Sequence, residues 1–433
     1  MGVHPGAIDQ GPARQTGETS ARSGIATRWV VIGLLVLSVC INYIDRGSLS
    51  VAVPVLKNEF GLSPKQLGFL LSAFFWSYTL MQLVVGPFVD RYDVKWIYAT
   101  GFLVWSVAMA GTGLVHGFAL LFAARLFLGI GESVFLPSAS RIVVRLFPSE
   151  RRGLPNALVD VGTKVGPALS ILIGGLVVKN FGWRVLFVVI GLGSLVWLLP
   201  WMALMPGAAQ LKPTKPENDP TTSLGAQPGL DLRWSDLLRR RELWGTSLAM
   251  FALGYVWIFL ITWLPDYLVK ERGFSLDEMS VLGSLPYWGM AGTSLTGGWA
   301  SDRLIAAGYS QTTIRKSIAL AGLVLCAGLL LPVGFVTDRA AAIGFLIAAC
   351  IALGLFTSNV WAITQTLAGP EAAGKWTGIQ NFIGNLGAVS PIAAGFIVER
   401  TGSFFLAFVV AAAILVLGAA AYWLLIPRIE RVL

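Results

Sequence analysis

Charge is scarce in this sequence. Asp, Glu, Lys and Arg make up 13% of the 433 residues, where soluble domains carry about 25%. Histidine is nearly absent, with only His4 and His116, which argues against a histidine-based metal site or a catalytic triad. Cysteine is limited to Cys40, Cys326 and Cys350, each inside an apolar segment and never as Cys-x-x-Cys. Three such residues read as small buried hydrophobes rather than as ligands or a disulfide frame. The first 27 residues are polar and lack the apolar stretch of a signal peptide, so they are expected to form a disordered tail. What abounds instead is apolar material, 55% of residues at a mean hydropathy of +0.71, spread over the whole chain. That is the composition of a polytopic membrane protein, not of several soluble domains.

Apolar runs broken by glycine, proline and charge predict twelve helices of membrane-spanning length. The expected fold class is an all-α integral membrane protein, its twelve transmembrane helices forming two pseudo-symmetric six-helix bundles. The parts are a cytoplasmic tail at 1–27, a bundle at 28–205, a polar linker at 206–241, a second bundle at 242–427 and a short tail at 428–433. The linker contains Lys212-Pro213-Thr214-Lys215-Pro216, a flexible composition. The halves look repeated: Gly86-Pro87-Phe88-Val89-Asp90-Arg91 closes helix two, and Gly298-Trp299-Ala300-Ser301-Asp302-Arg303 closes helix eight. Gly182 opens helix six as Gly402 opens helix twelve. Transporters are commonly built from such repeats.

Of the 32 Lys and Arg residues, 21 fall on the termini and even-numbered loops and 8 on the odd-numbered loops. The even-loop side is therefore expected in the cytoplasm with both termini, in a cell inner membrane. This placement accounts for the net charge of +9 without a nucleic-acid partner.

The informative charges are those within spans. Helix one contains Asn42-Tyr43-Ile44-Asp45-Arg46 and helix four contains Arg125 and Glu132, seven residues apart on one face. Intramembrane charge is costly and usually marks an ion or substrate path. Arginine keeps its charge and forks onto carboxylates, while acids in low dielectric can carry protons. The alternatives are a pair of structural salt bridges, or an interfacial position for Asp45 and Arg46 if the helix begins late. Helix five adds Asp160 and Lys164 at i, i+4, which either satisfy each other or leave Lys164 as a third cation in the cavity. Gly369-Pro-Glu-Ala-Ala-Gly374-Lys375 nearly spells a phosphate-binding loop, but Trp376 stands where Ser or Thr belongs and no strand precedes it. Without an ATPase signature, the energy source is expected to be an ion gradient, protons first and sodium second, with no cofactor and no metal.

Gly86-x-x-x-Asp90-Arg91 with Lys95 resembles the signature loop of the major facilitator superfamily. There it implies a conformational latch at Gly86, Asp90 and Arg91, repeated here at Asp302 and Arg303; a solvated turn is the plainer reading. Tyr43-Ile44-Asp45-Arg46, Arg125 with Glu132, Trp263-Leu264-Pro265-x-Tyr267-Leu268 and Asn381-x-x-Gly384-Asn385-Leu386-Gly387 are similar to that superfamily's anion:cation symporter branch, which includes bacterial hexuronate, galactonate and glucarate permeases. The similarity covers residues 28–427. It implies that Asp45 and Glu132 carry protons, that Arg46 and Arg125 serve substrate binding and coupling, and that Tyr43, Tyr78 and polar residues of helices ten and eleven line the pocket. Those residues here are Trp361, Gln365 and Asn381, although Trp361 also fits an interfacial aromatic belt. Lys164 departs from the branch, where a neutral polar residue is usual, and so bears on which substrate is taken.

The resulting expectation is a monomeric, proton-coupled importer of a small carboxylate anion, such as a sugar acid, embedded in the lipid bilayer and carrying out no enzymatic reaction. The competing reading is a proton-coupled drug antiporter of the same fold, which Gly162-x-x-x-Gly166-Pro167 partly resembles. Against it, three core cations favour an anionic ligand. A non-transporting membrane sensor is disfavoured by the lack of a large soluble signalling domain.

Overall fold

The computed structural model describes residues 13–147, 153–207 and 234–432. Helix α1 is Ala13–Phe60, α2 Pro64–Arg91 and α3 Val94–Thr112. Helix α4 joins Phe118–Glu132 to Phe135–Leu146, and α5 is Gly153–Phe181. Helix α6 runs from Trp183–Ser194 through a 3-10 turn into Leu198–Leu204. After a five-residue helical piece at Trp234–Leu238, α7 is Arg241–Asp266 and ends in a π-helical turn, Tyr267–Glu271. Helices α8, Leu276–Ala306, and α9, Gln311–Val333, follow. The last three are α10, Arg339–Gly369, α11, Lys375–Thr401, and α12, Phe405–Leu425. Among the described residues, ten of these helices are long and apolar enough to cross a membrane. The other two, α2 and α8, have 28 and 31 residues, ample for a bilayer at 1.5 Å per residue.

Local chemistry sets the helix ends, and it repeats between halves. Ser63 and Gln66 form a capping box at the start of α2, and Ser275 and Glu278 form the same box at the start of α8. Each box satisfies backbone N–H groups that the first turn leaves without partners. Lys95 Nζ donates to the carbonyl of Met202 at the end of α6 (2.7 Å), and Lys316 Nζ donates to that of Ile426 beyond α12 (2.6 Å). The connection between α10 and α11 turns on Gly369, whose φ of 65° lies in the left-handed region where a side chain is strained.

Helices α1–α6 and α7–α12 form two bundles with the same internal neighbours. In the first, α1 packs on α5, α4 on α2 and α3, and α3 on α6; in the second, α7 packs on α11, α10 on α8 and α9, and α9 on α12. Glycines sit at these crossings, as close packing without a hydrophobic drive requires. A Cβ at Gly129 of α4 would lie 2.3 Å from the Phe74 carbonyl of α2, and one at Gly166 of α5 would lie 2.4 Å from Tyr43 Cβ of α1.

Between bundles, α5 meets α8, α2 meets α11, and α1 meets α7. The closest approaches all fall at the odd-loop end. Gly68 lies against the Pro391 carbonyl, Gly395 against that of Pro64, and Gly175 against Ser280. Ser72 Oγ donates to the Ala388 carbonyl at 2.9 Å, and Lys179 pairs with Asp277.

The segment ends differ in detail from the sequence expectation. The backbone of α1 is helical from Ala13, inside the stretch expected to be a disordered tail. Residues 1–12 and 208–233, the latter most of the expected linker, lie outside the described residues. The expected tail at 428–433 is docked: Ile429 is 3% exposed and its N–H donates to Thr312 Oγ1 at 3.0 Å, while the Val432 N–H donates to the Leu367 carbonyl at 3.0 Å.

Candidate functional site

Three helices of the first bundle build a buried charged cluster. Helix α1 supplies Asn42, Tyr43, Asp45 and Arg46, α2 supplies Phe74 and Tyr78, and α4 supplies Arg125 and Glu132. The glycine contacts that bring α4 onto α2 and α5 onto α1 set their spacing. Arg46 Nε donates to Glu132 Oε2 at 2.8 Å. Its guanidinium carbon also lies 4.5 Å from the Tyr78 ring centroid, 4.6 Å from that of Tyr43 and 4.8 Å from that of Phe74. A desolvated guanidinium against an aromatic face gains about 2 kcal/mol, so three rings and one carboxylate together hold this cation away from water.

Arg125 is 2% exposed and lies 5.3 Å from the Phe187 ring. Its Nε and Nη2 have no hydrogen-bond partner, nor does Nη2 of Arg46. The same is true of both Asp45 carboxylate oxygens, Glu132 Oε1 and both ends of the Asn42 amide. Asp45 and Glu132 are fully buried, and each acts electrostatically on the other and on both arginines. Buried polar groups normally find partners, because leaving one unpaired costs about 1–3 kcal/mol. Free forked donors beside free carboxylate oxygens are suited to receive a carboxylate ligand and protons.

Lys164 is paired with Asp160, Nζ to Oδ2 at 2.6 Å. Its side chain is buried, while that of Asp160 is partly open and acts on Tyr43. The pair borders the cluster, and Lys164 already has a counter-charge.

The second bundle contributes differently from the sequence expectation. Trp361 and Asn381 are half-buried and Gln365 is exposed. Among the described residues, no hydrogen bond, ion pair or ring contact joins these three to Arg46 or Arg125. Their chain neighbours make the polar contact between α10 and α11: Thr364 Oγ1 donates to Gln380 Oε1 at 2.7 Å, with both residues fully buried.

For Gly86 and Asp90 only the helical backbone is described. Arg91 is exposed and lies 5.9 Å from the Tyr92 ring. On the repeat, Asp302 accepts from Arg315 at 3.3 Å and Arg303 lies 5.5 Å from the Trp299 ring.

Sequence reasoning missed Phe74, the third ring about Arg46, and Asn42. Both were within reach of helical spacing, Phe74 four residues before Tyr78 and Asn42 four before Arg46. It also passed over Asp266, which is 1% exposed in α7 with Oδ1 unpartnered. Among the described residues, no group of three or more His, Cys, Asp or Glu could hold a metal ion.

Comparison with known proteins bears on what this cluster serves. The sequence profile of the Major Facilitator Superfamily matches residues 35–390. A Cupriavidus necator protein named as a probable sulfoacetate transporter is 32% identical over 408 residues, covering 92% of this chain and 93% of that one. The hexuronate transporter of Bacillus subtilis is 30% identical over 400 residues, covering 90% and 93%. The crystal structure of a bacterial homolog of the human lysosomal transporter Spinster, inward-facing and unoccupied, superposes with a TM-score of 0.74 at 19% identity, covering 92% of this chain and 97% of that one.

Proposed function

Because the chain belongs to the Major Facilitator Superfamily, we propose that it is a secondary active transporter that imports a small carboxylate anion, a sugar acid or a relative of one, together with protons. The observation that carries this is the cluster in which buried Arg46 and Arg125 keep unpaired guanidinium donors beside Asp45 and Glu132. The substrates named for the two relatives, sulfoacetate and hexuronate, are both carboxylates, in keeping with an arginine-lined site.

In this reading Arg46 and Arg125 take the substrate carboxylate. Glu132 competes for Arg46 while it is ionised, a reading that the 2.8 Å pair supports. A proton on Glu132 weakens that pair and frees Arg46 for substrate. A proton on Asp45 removes a second buried negative charge, so closure around the anion leaves less uncompensated charge. Substrate and proton then favour each other's binding, and the linkage is reciprocal. Tyr43, Tyr78 and Phe74 hold Arg46 in place, and Trp361, Gln365 and Asn381 meet the substrate when the second bundle moves over it. The Gly86–Arg91 and Asp302–Arg303 segments act as latches at the even-loop end. With the even loops and both termini in the cytoplasm of a cell inner membrane, bundles joined at their odd-loop end correspond to a state closed to the outside. The transporter works as a monomer.

The test is uptake by proteoliposomes of radiolabelled galactonate, hexuronate and sulfoacetate, with and without an imposed inward proton gradient, beside efflux of a cationic dye. Saturable uptake of one of these anions, driven by the gradient and competed by the unlabelled compound, is the expected result. Dye efflux with no anion uptake would transfer the protein to the antiporter reading.

A further inference from the structure

The cluster around Arg46 and Arg125 has a third cation at its edge. On α5, Gly162 and Gly166 pack on α1: a Cβ at Gly162 would lie 2.3 Å from Val39 Cγ1, and one at Gly166 would lie 2.4 Å from Tyr43 Cβ. Lys164 stands two residues from each, on the other side of the helix. Its own face continues to Ile171 and Gly175, two and three turns on, and these meet the second bundle. A Cβ at Gly283 of α8 would lie 3.3 Å from Ile171 Cγ2, and Gly175 lies against Ser280. Lys164, and Asp160 one turn before it, therefore lie on the face that α5 turns toward the second bundle, in line with the odd-loop contact but on its even-loop side.

Lys164 has donors to spare. An ammonium carries three, and among the described residues only Asp160 accepts from this one, through Oδ2 at 2.6 Å and its carbonyl at 3.4 Å. The Lys164 side chain is 7% exposed and that of Asp160 is 36% exposed, so the acid meets the opening while the ammonium is desolvated behind it. The Gly166–Tyr43 contact fixes the relative level of the two helices. Lys164 is two residues to the even-loop side of that contact and Arg46 three residues to the odd-loop side, an offset of about 7–8 Å at 1.5 Å per residue. Side chains as long as lysine and arginine bring their charged heads within reach of two acid groups on one short molecule.

Charge balance decides what that molecule is. Arg46, Arg125 and Lys164 stand beside Asp45, Glu132 and Asp160, so with all six ionised the cations and the acids match. Protons on Asp45 and Glu132 leave two positive charges in excess. A monoanion cancels one of them and leaves the other buried without compensation, which is costly. A dianion cancels both.

On the reading of this cluster as an anion site, we infer that it takes a small dianion, one acid group on the two arginines and the second on Lys164, and that Lys164 sets the preference for dianions over monoanions.

The experiment compares matched compounds by isothermal titration of the purified protein at mildly acidic pH. Galactarate and galactonate share one polyol chain and differ in a carboxylate against a hydroxymethyl group at one end. Sulfoacetate and glycolate differ in a sulfonate against a hydroxyl. In at least one pair the dianion is expected to bind about tenfold tighter than the monoanion, or more. Lys164→Gln is expected to bring that ratio to within about threefold of one, because the second acid group loses its charged donor. Asp160→Asn/Lys164→Gln removes the ion pair whole, is expected to lose the ratio in the same way, and serves if Lys164→Gln alone does not fold. A purely structural lesion would weaken both members of a pair and leave their ratio as it was. Monoanions bound as tightly as their dianion partners in both pairs, or a preference that survives the loss of Lys164, would overturn the dianion inference and leave the anion reading standing. Binding of none of the four compounds would overturn the anion reading and the dianion inference together.

Discussion

Arg46 Nε stands 2.8 Å from Glu132 Oε2, joining α1 to α4 across 86 residues of chain. The acid adjacent to Arg46 in sequence, Asp45, makes no hydrogen bond to it. The two carboxylates near this arginine therefore differ: one holds the guanidinium, and the other makes no hydrogen bond.

Glu132→Gln removes the ion pair while keeping the shape. Substrate counterflow is expected to persist at a rate within about threefold of the parent, and accumulation driven by a pH gradient to be lost. Asp45→Asn is expected to show the same split. Proteoliposome uptake with an imposed gradient, compared with counterflow without one, reads both. Uphill accumulation by both variants would remove the two acids from coupling.

Arg125 has unpaired Nε and Nη2, a fork that lysine cannot reproduce. Arg125→Lys is expected to weaken substrate binding by about 10- to 100-fold, measured by isothermal titration or by half-saturation in uptake. Binding like that of the parent protein would take Arg125 out of the site.

The rings around Arg46 act through their faces, so hydroxyl and ring can be tested apart. Tyr78→Phe keeps the face at 4.5 Å and is expected to leave affinity within about twofold. Tyr78→Ala exposes one side of the guanidinium and is expected to cost about 1–2 kcal/mol of binding. An equal loss in both variants would mean that the hydroxyl, not the ring, matters.

Gly129 has no room for a side chain, since its Cβ would lie 2.3 Å from a carbonyl oxygen of α2. Gly129→Val is expected to push α2 from α4 and cost about 1–3 kcal/mol. Thermal unfolding in detergent should show a lower midpoint, and uptake should fall with it because Phe74 and Tyr78 move too. Gly33, with open space around it, is the control: Gly33→Ala should leave both unchanged.

Much of this protein was determined by the sequence alone. Apolar runs long enough for a bilayer, capping residues at the starts of α2 and α8, and segments recurring after about 212 positions are local signals. Each depends only on neighbouring residues, which is why the twelve helices and the two halves could be read directly. The rarity of intramembrane charge marked Asp45, Arg46, Arg125 and Glu132 for the same reason: a charge in an apolar run is unusual wherever its partner lies. The pairing was decided by the tertiary structure. Whether Arg46 meets Asp45 or Glu132 depends on how closely α4 approaches α2 and α1, which glycine contacts between helices govern. The i, i+4 spacing of Asp160 and Lys164 fits either mutual pairing or a cavity-facing lysine, and the structure pairs them at 2.6 Å. On α10 and α11, one residue is about 100° of rotation. That step is why Thr364 and Gln380 form the buried bond, while Gln365 and Asn381, their chain neighbours, do not.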